Sequence, residues 1–170
     1  MAGKTDVLLD TSVLINFARI GRIGLLAAHP AYAFFVTDHV RGEVRKHYVR
    51  QREAVEAAIA EGAVTELRAD RAEELEDFGR LMALKTLGAG ECSAIAVAKR
   101  RSMTLAIDDK QARRRAKSFS SGIALLSTEA LVISLIQERI LSVEAADEMK
   151  QDWERNHRFK LGFGSFSEKL

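Results

Sequence analysis

The chain has 170 residues and a mass of 18.8 kDa, enough for one domain with a buried core. An apolar fraction of 47% with 29% charged residues excludes a disordered chain, one proline excludes a proline-rich one, and the lone Cys92 excludes a disulfide framework or a cysteine-built zinc site. The net charge of +2 does not by itself point to a polyanionic partner, but the stretch from Lys99 to Lys117 carries eight bases against two acids, a local net of +6. No apolar run is long enough to cross a bilayer, and the opening residues lack the apolar centre of a secretory leader. A soluble, cytoplasmic protein without membrane contact is therefore expected.

Short apolar runs alternate with helical stretches. Val7–Leu9 reads as a strand buried on both faces and ending at Asp10. Asp10, Thr11 and Ser12 then offer caps for a helix carrying Leu14, Ile15, Phe17 and Ala18. A short helix is expected over 22–28 and a second strand over 33–37. From Asp38 to about Ala60 the stripe Val40, Val44, Tyr48, Val55 and Ile59 predicts one continuous helix, stopped by Gly62. A minor strand over 63–67 precedes a helix over 71–87, with Leu75, Phe78 and Met82 turned inward and Leu81 a further candidate. Gly88-Ala89-Gly90 breaks the chain. A helix over 91–101, a strand over 103–107, a basic helix over 109–117, a strand over 123–126 and an apolar helix over 128–139 follow. Ser142 caps a last helix, and the tail from about Asn156 is irregular, either mobile or packed on a partner. This alternation predicts an α/β fold with a parallel sheet covered by helices on both faces.

The acids fall at informative places. Asp10 directly follows one buried strand, and Asp108 and Asp109 directly follow another. Open parallel sheets bind ligands just beyond the carboxyl ends of their strands. Glu91 opens a helix and shares its inward stripe with Ala94, Ile95 and Ala98. Glu43, between Val40 and Val44, leans back toward the same sheet edge. Two carboxylates about 5 Å apart repel by about 3 kcal/mol at an effective dielectric near 20, so four together require protons or cations. An all-oxygen set suits a hard divalent ion, Mg²⁺ or Mn²⁺, and such ions suit phosphate esters. The basic stretch supplies attraction for a nucleic-acid backbone.

These segments resemble motifs of the PIN-domain family, in particular its VapC-like ribonucleases. Val7-Leu8-Leu9-Asp10-Thr11-Ser12-Val13-Leu14-Ile15 looks like the first motif, and Val40-Arg41-Gly42-Glu43-Val44 like the second. Gly90-Glu91-Cys92-Ser93-Ala94-Ile95-Ala96 is similar to the third, and Leu105-Ala106-Ile107-Asp108-Asp109-Lys110-Gln111-Ala112-Arg113 to the fourth. The resemblance covers roughly residues 5–140. It implies a three-layer α/β/α domain over residues 1–141 with a central parallel sheet of about five strands. The helix and tail of 142–170 would pack on that domain or extend from it. It also implies a Mg²⁺- or Mn²⁺-dependent endoribonuclease that hydrolyses single-stranded RNA to leave 5′-phosphate ends. By the same analogy Asp10, Glu43, Glu91 and Asp109 form the catalytic set. Asp10, Glu91 and Asp109 hold the metal, with Asp108 as a further candidate, and Thr11 or Ser12 assists. Lys99, Arg100, Arg113, Arg114 and Arg115 are candidates to grip the RNA backbone. Small bacterial members are commonly toxins held by an antitoxin protein and commonly dimerise, so a homodimer, an antitoxin partner and RNA are the partners implied.

Other readings compete. His39, Glu43 and His47 share a helical face that fits a transition-metal site, although surface histidines explain it as well. Cys92 reads as a small buried residue rather than a nucleophile. A phosphatase with Asp10 as nucleophile is the enzymatic alternative, though a second Asp two residues on is missing. A degenerate nuclease fold that only binds RNA or protein is the non-enzymatic one.

Overall fold

The structure, a computed structural model, describes residues 3–170. In chain order the elements are β1 (Thr5–Leu9), α1 (Thr11–Arg19), α2 (Gly24–Ala27), β2 (Tyr32–Thr37), α3 (Asp38–His47), α4 (Val49–Ala60), β3 (Thr65–Leu67), α5 (Ala72–Ala83), α6 (Ala89–Arg101), β4 (Thr104–Ala106), α7 (Lys110–Phe119), β5 (Leu125–Leu126), α8 (Thr128–Gln137) and α9 (Val143–Asn156). A 3-10 turn at Phe166–Lys169 closes the chain. All strand pairs are parallel, and the sheet runs β3-β2-β1-β4-β5. The fold is a three-layer α/β/α domain.

Alternate residues of each strand serve different cores. Val7, Leu9, Phe34, Val36 and Ala106 face a cluster with α1, α3, α4, α8 and α9. Leu8, Leu105 and Ile107 face another, with α6 and α7. A period of two with both sets apolar is why these strands read as unbroken apolar runs. Chain order leaves β1 toward β2 on one side and returns to β4 on the other. The carboxyl ends of β1 and β4 therefore flank the topological switch point, and Asp10 and Asp108–Asp109 are the residues that follow them.

Two expectations are corrected. The single helix expected over 38–60 is divided at Tyr48, which has φ −124° and ψ 57°. Its ring packs on the core, and the break lets α3 (Val40, Val44) and α4 (Val55, Ala58) each turn an apolar stripe to the same cluster. On α5 the inward residues are Glu74, Asp77 and Leu81, while Leu75 and Met82 are exposed. The helix is rotated because α6 presents bases to it: Arg100 and Lys99 pair with Asp77, and Arg101 pairs with Glu74. The tail packs on its own domain. Phe159, Leu161 and Phe163 lie against the core and Phe166 is buried, while Asp147 accepts from Ser165 Oγ at 2.6 Å and from Phe166 N at 2.8 Å. Trp153 Nε1 donates to the carbonyl of Asn16 at 2.7 Å, pinning α9 to α1.

Candidate active site

Asp10 extends the β1–β4 ladder, its N–H donating to Ala106 O at 2.9 Å, and then caps α1. Its Oδ2 accepts from Ser12 Oγ at 2.7 Å and from Ser12 N at 3.2 Å. Its Oδ1 is buried and has no hydrogen-bond partner among the described residues. Burial pushes this carboxyl up to about 6; the Ser12 bonds oppose the shift and the charge of Glu43 adds to it.

Glu43 ties three helices together. Thr11 Oγ1 donates to its Oε2 at 2.7 Å and Gly90 N donates to its Oε1 at 2.9 Å. Glu91, in the first turn of α6, caps that helix by accepting from Gly88 N at 3.1 Å. Burial, then the charge of Asp10, and also those of Asp109 and Glu43, push the Glu91 carboxyl up to about 7. Asp109 caps α7, accepting from Ala112 N at 2.7 Å through Oδ1. Glu91 thus lies within range of repulsion from Asp10, Glu43 and Asp109, and Asp10 within range of Glu43, each of the four with a backbone or hydroxyl group fixing its orientation.

Asp108 differs from its neighbour. Its Oδ1 accepts from Thr128 N at 2.8 Å, and its Oδ2 from Thr128 Oγ1 at 2.6 Å and Asn16 Nδ2 at 2.9 Å. Both oxygens are spent on locking β4 to α1 and α8. Asp108, expected as a further metal ligand, is placed as a clamp between β4, α1 and α8. Its backbone N also meets Ser12 Oγ at 3.4 Å, which joins the clamp to the residue that orients Asp10.

The donor set fits a hard divalent ion. It is all oxygen, it includes a buried carboxylate oxygen without a partner, and burial with mutual repulsion raises two of its carboxyls toward neutrality. Among the described residues no three acid, imidazole or thiol groups are already drawn together as a finished cage. The acids are gathered at one edge rather than closed around a point.

The sequence matches the DUF3368 family of PIN domains over residues 6–158. The chain belongs to the PIN-domain family. Two of the solved structures that resemble it show the shared fold. One is VapBC2 from Rickettsia felis bound to a DNA fragment from their promoter, which is 14% identical with a TM-score of 0.50, covering 72% of this chain and 98% of that one. The other is PAE2754 from Pyrobaculum aerophilum, 15% identical with a TM-score of 0.54, covering 79% of this chain and 99% of that one. No match was found among the curated proteins. Among the described residues no helix is long and apolar enough to cross a membrane.

In this PIN domain the predicted bases are divided. Lys99 and Arg100 sit at the far end of α6 from Glu91, held by the buried Asp77 at 3.2 and 2.5 Å. They are not brought to the acidic edge, and they neutralise a core acid. Arg113 Nη1 donates to the carbonyls of Ile107 and Leu126, at 2.6 and 2.8 Å, and so fastens the ends of β4 and β5. Arg114 and Arg115 share an open face of α7 with Gln111 and Ser118. Cys92 is buried, and burial pushes its thiol up to about 11.

Sequence reasoning missed Asn16, Thr128 and Gly90. Asn16 stands in the middle of an apolar helix, and an interior polar residue flanked by Ile15 and Phe17 is a signal in itself. Gly90 was legible only as a chain break.

Proposed function

We propose that this PIN domain is a divalent-metal-dependent endoribonuclease that hydrolyses phosphodiester bonds of single-stranded RNA. Asp10, Glu43, Glu91 and Asp109 form its catalytic set. The observation that carries the reading is the state of Asp10: a buried carboxylate with an unpartnered Oδ1, raised toward neutrality beside Glu43 and Glu91. A fold that only needed a cap at this point would place Asn or Ser there without that cost.

Asp10, Glu91 and Asp109 would hold Mg²⁺ or Mn²⁺. When bound, the ion neutralises charge developing on the phosphoryl group and makes water a better nucleophile. The chain's own residues prepare the site. Ser12 donates to Asp10 Oδ2 and leaves Oδ1 facing inward. Thr11 and Gly90 fix both oxygens of Glu43. Arg114 and Arg115, on the helix that Asp109 caps, attract the RNA backbone. No base-reading motif is visible in the sequence, and no sequence specificity is assigned.

In its biological setting the protein is proposed to be the toxin of a toxin–antitoxin pair, homodimeric, cytoplasmic and held by an antitoxin protein. The VapBC2 likeness supports that choice within the family.

Incubation of the purified protein with an end-labelled unstructured RNA tests the reading. Cleavage is expected with Mn²⁺ or Mg²⁺, is stopped by EDTA, and is abolished by Asp10→Asn, which keeps the fold and binds RNA no more weakly. RNA binding without cleavage under any metal would leave a non-catalytic module. Hydrolysis of a phosphate monoester but no RNA would leave a phosphatase.

A further inference from the structure

Outside the acidic edge, a groove of about 550 Å³ lies where α1, the α3–α4 break and the end of α9 meet. Arg19, His47, Arg50, His157 and Arg158 line it; no carboxylate is part of the lining, and the acid that reaches it is Asp152, 3.6 Å from His157 Nε2 and accepting from Asn156 Nδ2 at 2.7 Å. The contrast with nearby bases is sharp. Arg41 and Arg45 are both paired with Glu56, and Arg41 also with Glu66. Arg19, Arg50 and Arg158 form no ion pair among the described residues; Arg19 lies over the Tyr48 ring, 5.9 Å from its centroid.

Helix stability does not account for this set. Arg19 and His47 stand at the carboxyl ends of α1 and α3, where cations are favoured. Arg50 stands in the first turn of α4, which has no acid there and no side-chain cap, so its charge opposes the helix dipole. Three unpaired guanidinium groups around one cavity repel one another and are relieved by an anion.

Along α3 the groove begins one helical turn beyond Glu43. His47 is one helical turn beyond Glu43 on the same face of α3, about 6 Å along the axis. This accounts for the placing of His47 in the stripe His39, Glu43 and His47 without a transition metal. The lining also chooses among anions. Gln51 and Asn156 add amide groups to the imidazoles and guanidiniums, and Val49 is the one aliphatic side chain present. That mixture of forked cations, ring faces and amides suits a sugar-phosphate chain better than an acidic peptide with aliphatic side chains.

We infer that this groove is a second RNA-binding subsite, which holds phosphates of the single strand some nucleotides away from the bond presented to the acids. The inference rests on the nuclease reading only for the identity of the polyanion.

The test is fluorescence anisotropy with fluorescein-labelled dodecauridylate in EDTA, which measures binding without cleavage. Arg50→Gln combined with Arg158→Gln should weaken the dodecauridylate Kd about tenfold, and should lower the slope of log affinity against log salt by about 1.4, or about 0.7 for each phosphate no longer neutralised. Arg50→Glu alone should weaken binding in the same direction, and circular-dichroism melts confirm that each variant folds. Unchanged affinity and slope in these variants would overturn the inference. So would labelled polyglutamate binding more tightly than dodecauridylate in a groove-dependent way, which would make this a protein-docking surface. Groove-dependent binding by a protein that cuts no RNA with any metal would remove the nuclease reading and leave this inference standing.

Discussion

The carboxylate of Glu43 occupies the volume that a side chain at residue 90 would need. A Cβ on Gly90 would fall 2.5 Å from Oε2 and 2.8 Å from Oε1, while the Gly90 N–H donates to Oε1 at 2.9 Å. The glycine is required by this approach, since it is the neighbouring carboxylate rather than the backbone angle that excludes a methyl group. Gly90→Ala should displace Glu43, reducing RNA cleavage about a hundredfold and costing about 1–3 kcal/mol of stability. Initial rates and urea unfolding of the same preparation check both. A variant that cuts at the wild-type rate would show that the position of Glu43 does not matter to the reaction.

Asp10 gives a prediction with a definite sign. Its folded-state carboxyl titrates near 6 against an ordinary value of 3.8, so the folded protein holds a proton that the unfolded chain has released. The resulting destabilisation is absent below pH 4, grows as pH rises through the folded value, and is complete above it; Glu91, raised to about 7, acts in the same direction. Asp10 and Glu91 should therefore cost the metal-free protein stability between about pH 4 and pH 7, opposed in that window by His29, whose imidazole is lowered by burial. Asp10→Asn keeps a capping oxygen and removes the charge, so it should stabilise the metal-free protein at pH 7 by up to about 3 kcal/mol. Thermal melts in EDTA across that range, with and without the substitution, provide the measurement. A melting temperature that rises from pH 4 to pH 7 only in the wild type would contradict it.

The adjacent acids Asp108 and Asp109 should separate cleanly. Asp108 accepts from three donors, and an amide there would turn a donor toward another donor. Asp108→Asn is expected to cost about 1–3 kcal/mol. Asp109→Asn preserves a good helix cap, so it should unfold like the wild type while losing cleavage. Denaturation midpoints set beside cleavage rates distinguish the two, and equal behaviour would refute the division of roles.

The bases should divide in the opposite sense. Arg100→Ala leaves the buried Asp77 with Lys99 alone and should lower the melting temperature, with no change in RNA affinity. Arg114→Ala with Arg115→Ala touches no core contact and should weaken RNA binding while leaving the melting temperature in place. Electrophoretic mobility shifts alongside melts will read both.

The alternation of strands and helices, the parallel sheet, the three acids at element ends (Asp10, Glu91 and Asp109) and Glu43 on a helix face were legible in the residues. Each depends on local pattern: an apolar run such as Val7–Leu9, a capping residue, or a charge at the last position of a strand. The rotation of α5 was not legible. Its burial of Glu74 and Asp77 makes sense only once Lys99, Arg100 and Arg101 arrive from another helix. Nor was the break at Tyr48, because the stripe on either side has the same period and the turn is imposed by what the two helices pack on.

The sequence by itself determined which side chains could carry chemistry, because residue type and position along an element are local properties. Only the tertiary structure decided which of them are free to do so. Asp108 and Asp109 are chemically identical, yet Asn16 and Thr128, contributed by α1 and α8, consume one and leave the other. Hydrogen-bonding capacity is finite, and what spends it comes from residues far away in the chain.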